Sequence, residues 1–170
     1  GEYADYVIQL KRKKHFVVEV KAMDIDLNER HLNQALAYAT NEGIDWIVLF
    51  NGRQIQLYRV IFGKPIKTQR VFNFDLSDLT VLRAASSEIV FLTKQSVTKN
   101  DLEVYWKRFD ALSKNNMVKT LFTKEVLKGI RLKIKKQSGI NFSESEILAS
   151  VHELVVKPNI DVSLPRSLKD

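Results

Sequence analysis

The sequence contains no cysteine, which excludes a disulfide framework and fits a reducing compartment. Its longest uninterrupted apolar run, Trp46 to Phe50, is far too short to span a bilayer, and no signal peptide is visible. No Gly-x-x-x-x-Gly-Lys-Ser/Thr phosphate loop is present, so ATP hydrolysis is not expected. The three histidines are scattered without metal-ligand spacing. These absences predict a soluble, cytoplasmic protein that has no membrane partner.

Positive charge is the strongest compositional feature of the chain. The formal net charge is +7 over 170 residues, and the sequence pI is about 9.5. The excess is uneven, because residues 1–92 hold 12 Lys+Arg against 11 Asp+Glu, whereas residues 93–170 hold 15 against 9. A basic balance of this size favours an anionic partner such as nucleic acid. The C-terminal part is therefore the first place to look for an electrostatic contact.

A short apolar run, Phe16 to Lys21, carries an acid and a base at alternate positions. Successive side chains of a β-strand point to opposite faces, so Glu19 and Lys21 are expected on one face. Val18 and Val20 are expected on the other face, packed into a core. The strand would thus present a carboxylate and an ammonium side by side.

A second acid, Asp5, lies in the preceding strand-like segment, and the polar turn 11–14 lets the two segments pair as a hairpin. Asp5 is then expected near Glu19. Two such carboxylates form an oxygen-rich pocket that Mg²⁺ accepts, with Mn²⁺ as the alternative ion. Lys21 can hold a phosphate oxygen or orient the attacking water. The alternative is that Glu19 and Lys21 form only a solvent-facing ion pair on an edge strand, and these residues alone leave both open.

A helix is predicted next, from Glu29 to Glu42. Its apolar positions recur at the spacing of one helix face: Leu32, Ala35, Leu36 and Ala39. Gln34 and Tyr38, four residues apart, lie together on a different face. They could position the activated water or a nucleotide, although an ordinary solvated helix face would give the same pattern.

The ordered set Asp5, Glu19-x-Lys21 and Gln34-x-x-x-Tyr38 resembles the PD-(D/E)xK nucleases. More narrowly, it resembles the N-terminal nuclease domain of the type I restriction enzyme motor subunit, including stand-alone predicted restriction endonucleases built on that domain. The resemblance covers roughly residues 1–75. It implies that Asp5 and Glu19 bind the metal, that Lys21 serves catalysis, and that Gln34 and Tyr38 lie on the helix flanking the site.

The chain departs from the family pattern in two places. The proline that precedes the aspartate in the family is Ala4 here, which leaves the acid in place. The family also has a helix, and often a strand, before the aspartate segment, and we expect that this N-terminal helix is missing from the chain as given. An acidic residue on such a helix would add to the site.

The remaining pattern predicts an α/β core followed by helices. The apolar run Trp46–Phe50 predicts a strand covered on both faces, and the helix before it makes a β-α-β crossover. Strands are predicted over 54–61 and 66–74, which gives a mixed sheet of the PD-(D/E)xK restriction-endonuclease type with a helical C-terminal extension. We predict a core over residues 1–92, a helical extension over 93–157 and a tail over 158–170. Asn115-Asn116 predicts a turn between two helices of the extension.

One stripe of cations runs along the helix predicted from Thr123 to about Lys136: Lys124, Lys128, Arg131 and Lys135. At a rise of about 1.5 Å per residue the stripe is roughly 16 Å long, comparable with several phosphates along a DNA strand. We predict that it grips the DNA backbone without reading sequence. A solvated face of an amphipathic helix is the alternative, which the pattern leaves open.

The function predicted from the sequence is Mg²⁺-dependent hydrolysis of DNA phosphodiester bonds, in restriction or defence against foreign DNA. DNA is the expected partner, together with a second copy of the chain or the subunits of a restriction complex. One alternative is a catalytically inactive nucleic-acid-binding or assembly module that keeps the nuclease fold. Another is a structural interaction domain whose acids are surface ion pairs, and the position of Asp5 relative to Glu19 separates it from the nuclease.

Overall fold

The computed structural model of the protein describes residues 4–156. The predicted tail, 158–170, lies outside the described residues. Five strands and seven α-helices occur along the described chain in this order: β1 (Tyr6–Leu10), β2 (Lys13–Val20), α1 (Glu29–Glu42), β3 (Trp46–Phe50), β4 (Gln54–Ile61), β5 (Lys67–Asp75), α2 (Leu82–Ile89), α3 (Lys94–Lys99), α4 (Asp101–Ala111), α5 (Lys114–Leu121), α6 (Lys124–Ser138) and α7 (Glu144–Val156). A short 3₁₀ turn, Val90–Leu92, follows α2.

The strands form one mixed sheet in the order β1-β2-β3-β4-β5. Only β2 and β3 are parallel, because α1 returns the chain to the starting edge of the sheet between them. The other neighbours are joined by short turns and are antiparallel. The predicted α/β class, the mixed sheet and the crossover helix are therefore confirmed.

Each face of the sheet has its own apolar cluster. On the face that α1 covers, the buried residues include Val17, Leu32, Ala35, Ala39, Ile47, Leu49 and Val60. On the opposite face they include Phe16, Trp46, Val48, Ile55, Leu57, Phe72 and Leu102. The apolar stripe predicted for α1 is the side that packs on the sheet.

The two faces of β2 differ from the prediction. Val17, which shares a face with Glu19, is fully buried under α1. Val18 is only partly buried, and Val20 is 37% exposed. The apolar residues of β2 thus do not all lie opposite Glu19, because the strand is interior and both of its faces are covered along most of its length.

The boundary after the core differs from the predicted one at residue 92. The chain divides into two compact units, Gly1–Phe109 and Asp110–Asp170. The first unit extends further because α4 packs on the sheet, where the rings of Trp46 and Trp106 meet edge to face with centroids 6.2 Å apart. The indole Nε1 of Trp46 also donates to Glu103 at 3.0 Å.

The second unit is helical, as predicted for the extension, and its apolar cluster is formed by Leu127, Ile147 and Val151 with their neighbours. The turn predicted at Asn115-Asn116 is wrong, since both residues lie in α5. Asn116 is held there by its amide nitrogen, which donates to the backbone oxygen of Asp110 at 2.7 Å. Within the part of the chain that the structure describes, no helix combines the length and hydrophobicity that a membrane span needs.

Candidate active site

The candidate site lies where the parallel strands β2 and β3 end. Glu19 pairs with Leu49 in the parallel ladder, and the backbone N–H of Lys21 extends the ladder by donating to Phe50 at 2.9 Å. Glu19 therefore sits on an interior strand, on the face that α1 covers. Its side chain is completely buried, with a relative exposure of 0%.

The carboxylate of Glu19 is only half satisfied. The ammonium of Lys21 donates to Oε1 of Glu19. The second oxygen, Oε2, is buried and has no hydrogen-bond partner among residues 4–156. Leaving a buried acceptor unpaired costs about 1–3 kcal/mol, so this atom is a structural sign of a missing ligand. The solvent-facing ion pair considered as an alternative is also excluded, because Glu19 is not exposed.

Asp5 lies beside Glu19, as the hairpin predicts. The register of β1 on β2 pairs Tyr6 with Val18, which places Asp5 at the level of Glu19. The Oδ2 atom of Asp5 accepts a hydrogen bond from the backbone N–H of Val20 at 2.8 Å. Asp5 itself is exposed. The carboxylate is thus anchored to the residue that follows Glu19, while Oδ1 receives no hydrogen bond from the described residues.

The donor set fits a hard divalent cation. Each of Asp5 and Glu19 has one carboxylate oxygen that receives no hydrogen bond from residues 4–156. Mg²⁺ is commonly held by one or two carboxylates while it keeps several waters and contacts substrate phosphates. In the described ranges there is no group of three or more His, Asp or Glu side chains that could enclose a metal, so a binding site here would be of this open type.

The loop that follows Lys21 is fastened by two residues of the β3–β4 turn. Asn51 is 2% exposed, and its amide nitrogen donates to the backbone oxygen of Ile25 at 2.9 Å. Arg53 donates to the carboxylate of Asp26 at 2.9 Å. The sequence contains no separate indication of this loop contact.

Neither Gln34 nor Tyr38 forms a hydrogen bond with Asp5 or Glu19 in the described part of the chain. Gln34 is exposed and makes no hydrogen bond with the described residues. The ring of Tyr38 lies 6.0 Å from the ammonium of Lys14, which stands near the start of β2. Lys14 is five residues before Glu19, or roughly 16 Å along the strand at about 3.3 Å per residue. The structure therefore brings Asp5, Glu19 and Lys21 together, and places the Tyr38 contact towards the other end of β2.

Substitutions at Gln34 and Tyr38 test whether the pair acts at the site. If it positions the reacting water or a nucleotide, Gln34→Ala and Tyr38→Phe should lower the cleavage rate roughly 10- to 100-fold without changing the melting temperature. Asn33→Ala is the matched control, because Asn33 is the exposed neighbour on the same helix. Cleavage at the wild-type rate by both variants would assign the pair to an ordinary helix surface.

The four cations predicted to contact DNA lie on α6 in the second unit. Lys124, Lys128 and Lys135 are exposed, and Arg131 is half-buried. As predicted, Leu127 faces the apolar cluster on the other side of the helix. A cavity of about 200 Å³ is lined by Lys124, Leu127, Lys128, Arg131 and Glu144. None of the four cations forms an ion pair within residues 4–156, so their charge is available to an anion.

Comparison with known proteins gives one match. Residues 1–69 match the family described as "Type I restriction enzyme R protein N terminus (HSDR_N)". The matched part is less than half of the 170-residue chain, but it contains Asp5, Glu19, Lys21, Gln34 and Tyr38. No curated protein and no solved structure matches the chain. The match confirms the resemblance seen in the sequence.

Proposed function

We propose that this chain, whose residues 1–69 match the family of type I restriction enzyme R protein N termini, is a Mg²⁺-dependent endonuclease that hydrolyses DNA phosphodiester bonds. The family supports a nuclease-related role in restriction. The observation that carries the finer proposal is the buried, half-satisfied carboxylate of Glu19, with Lys21 and Asp5 beside it. Such an endonuclease activity would serve in defence against foreign DNA.

The proposed fold assignment is a PD-(D/E)xK core. Its support is the position of the three residues in the mixed sheet: Asp5 leads into an edge strand, whereas Glu19 and Lys21 stand at the end of the neighbouring interior strand. Because side chains alternate between the two faces of β2, Glu19 and Lys21 lie on the same face. A phosphate bound near one of them therefore lies near the other. An ion pair of Glu19 and Lys21 that served only as a surface contact would not require the Glu19 carboxylate to be fully buried.

Asp5 and Glu19 would hold Mg²⁺, or Mn²⁺, through the oxygens that receive no hydrogen bond from the described part of the chain. Such an ion lowers the pKa of its bound water and offsets the charge that develops on a phosphate under attack. The Lys21 side chain is 24% exposed and reaches outward from Glu19, so its ammonium can donate to a phosphate oxygen or orient the attacking water. The Val20 N–H fixes the Asp5 carboxylate before the substrate arrives.

The expected partners are DNA and either a second copy of the chain or the subunits of a restriction complex, in the cytoplasm. Cleavage is tested by incubating the chain with supercoiled plasmid and Mg²⁺, with EDTA as the control. Nicked or linear plasmid that appears only with the metal is the expected result. Intact plasmid over a range of DNA sequences and protein concentrations would contradict the endonuclease assignment.

A catalytically inactive nucleic-acid-binding or assembly module is the second candidate. The observation that favours it is the position of Tyr38, whose ring contacts Lys14 rather than the acids. Such a module would bind DNA without cutting it. The plasmid experiment therefore separates the two candidates when DNA binding is measured in parallel.

The α6 stripe is proposed to contact DNA phosphates, since its cations form no ion pair with the residues that the structure describes and three of them border one cavity. Reversing Lys128 and Arg131 to Glu should weaken binding equally for all sequences. It should also flatten the slope of log affinity against log salt by about one to two units, because fewer counterions are released.

The matched control is the reversal of Lys133 and Lys136, which are exposed residues of α6 outside the stripe. This double variant has the same net charge as the stripe variant. Binding is measured by fluorescence anisotropy over a salt series. If the slope of log affinity against log salt is equal for the two double variants, the stripe does not contact DNA and is an ordinary solvated helix face.

A further inference from the structure

A row of residues crosses the sheet at the level of Glu19. Glu19 pairs with Leu49, Leu49 pairs with Gln56, and Gln56 pairs with Asn73. Residues paired across neighbouring strands point to the same face of a sheet. The row therefore starts at the buried carboxylate on β2 and ends at an exposed amide on β5, all on the face that carries α1.

This face changes character along the row. α1 packs mainly on β2 and β3, where the side chains are apolar. On β4, Val60 still belongs to the apolar cluster of this face. Nearer the level of Glu19 the face is polar on β4 and β5, because Tyr58 pairs with Arg70 and lies next to the Gln56–Asn73 pair. Arg70 and Asn73 are exposed. We call Gln56, Tyr58, Arg70 and Asn73 the β4–β5 strip.

Gln56 has an unused donor at the centre of the strip. Its side chain is 5% exposed, and its Oε1 accepts a hydrogen bond from the Tyr58 hydroxyl at 2.8 Å. Its amide nitrogen donates to no group of residues 4–156. The Tyr58 contact fixes the orientation of this amide, so its nitrogen is a positioned donor on a polar surface beside the candidate active site, where a ligand can reach it.

We propose that the β4–β5 strip binds the DNA strand that continues from the phosphate held at Asp5, Glu19 and Lys21. This inference rests on the proposed nuclease function and adds a substrate-binding surface to it. Neighbouring strands are about 4.8 Å apart, so Asn73 on β5 lies roughly 14 Å from Glu19 on β2. A nucleic-acid strand has a phosphate about every 3.4 Å of rise, so the distance from Glu19 to the far edge of the strip corresponds to roughly four nucleotides.

Each member of the strip has a distinct part in this contact. The guanidinium of Arg70 makes no ion pair with the described residues and can hold a phosphate through two parallel hydrogen bonds. The free amide nitrogen of Gln56 and the side chain of Asn73 can donate to the backbone or to a base edge. Tyr58 holds Gln56 in place through its hydroxyl. If this sheet face were only solvated, none of these contacts with DNA would form.

The first test compares two charge reversals on β5. Arg70→Glu changes the strip, whereas Lys67→Glu changes an exposed residue of the same strand that pairs with Ile61 and points to the opposite face. Binding of a short DNA duplex is measured by fluorescence anisotropy in EDTA, so that no cleavage occurs. Arg70→Glu should weaken binding about tenfold and reduce the salt slope by about one, whereas Lys67→Glu should change affinity less than about threefold.

The second test replaces the buried amide. Gln56→Met keeps the length of the side chain but removes the free donor, so it should weaken DNA binding severalfold. It also removes the acceptor of the Tyr58 hydroxyl, so the melting temperature should fall slightly. A residue with only a structural role would lower the melting temperature without weakening DNA binding. The inference is overturned if Arg70→Glu and Lys67→Glu weaken binding equally, if Gln56→Met binds like the wild type, or if the wild type binds no DNA.

The binding measurement separates this inference from the nuclease assignment. If the wild type cleaves plasmid but Arg70→Glu binds like Lys67→Glu, the strip is wrong and the nuclease stands. If Arg70→Glu and Gln56→Met bind weakly as expected but the wild type never cleaves, the strip stands and the nuclease is wrong.

Discussion

Lys21→Ala is expected to abolish cleavage, with a rate at least about 100-fold below that of the wild type. In the proposed mechanism the ammonium of Lys21 would contact the reacting phosphate. It is also the one partner of the fully buried Glu19 carboxylate within the described residues. Its removal leaves both oxygens of Glu19 without a donor. The variant should therefore lose about 1–3 kcal/mol of unfolding free energy as well as activity.

Two further variants separate catalysis from stability. Lys14→Ala removes a lysine of the same strand that also forms an ion pair, with Glu42, but at the end away from the acids. It should cleave at the wild-type rate. Lys21→Ala combined with Glu19→Gln removes both charges, so it should regain part of the lost stability without regaining cleavage.

The measurements are plasmid cleavage with Mg²⁺ and urea unfolding followed by circular dichroism. If Lys21→Ala cleaves as fast as the wild type, the catalytic role of this lysine is wrong. If it loses activity but no stability, the ion pair with Glu19 contributes nothing to the fold, and the buried carboxylate must be satisfied in another way.

Mg²⁺ is expected to raise the melting temperature of the wild type, and Glu19→Gln should lose this rise. A ligand that binds only the native state stabilises it by about 2.7 kcal/mol at one hundred times its dissociation constant. The free Oε2 of Glu19 and the second oxygen of Asp5 are the atoms expected to supply that affinity. Neutralising either carboxylate removes charge from the pair, so cleavage should fall together with metal binding.

Asp5→Asn makes the second arm of this experiment. Its amide oxygen can still accept from the Val20 N–H, so the local backbone contact is retained while the charge is lost. In the absence of metal this variant should be no less stable than the wild type, because one of two neighbouring negative charges is gone.

Asp24→Asn is the control for the metal series, because Asp24 is an exposed acid in the loop that follows Lys21. It should show the full rise in melting temperature. A rise that survives in both Glu19→Gln and Asp5→Asn would place the bound metal elsewhere on the chain.

Local patterns alone predicted much of the first unit. The period of α1, from Glu29 to Glu42, and the continuous apolar run of β3 were both confirmed at their predicted ends. In the second unit, the Ser143-x-x-Glu146 pattern forms a capping box at the start of the last helix, Glu144–Val156. Their hydrogen bonds lower the pKa of the Glu146 carboxyl. These features depend on residues within one or two turns of each other, so the sequence determines them directly.

The sequence by itself also placed an aspartate, a glutamate and a lysine on adjoining segments in an order typical of a nuclease family. Only the tertiary structure decided that Glu19 is buried with one oxygen free, that Tyr38 faces Lys14, and that Gln56 lies in the same row as Glu19. The physical reason is that burial and cross-strand neighbours depend on which strands are adjacent and in what register. Those are set by contacts between distant parts of the chain, which no local periodicity encodes.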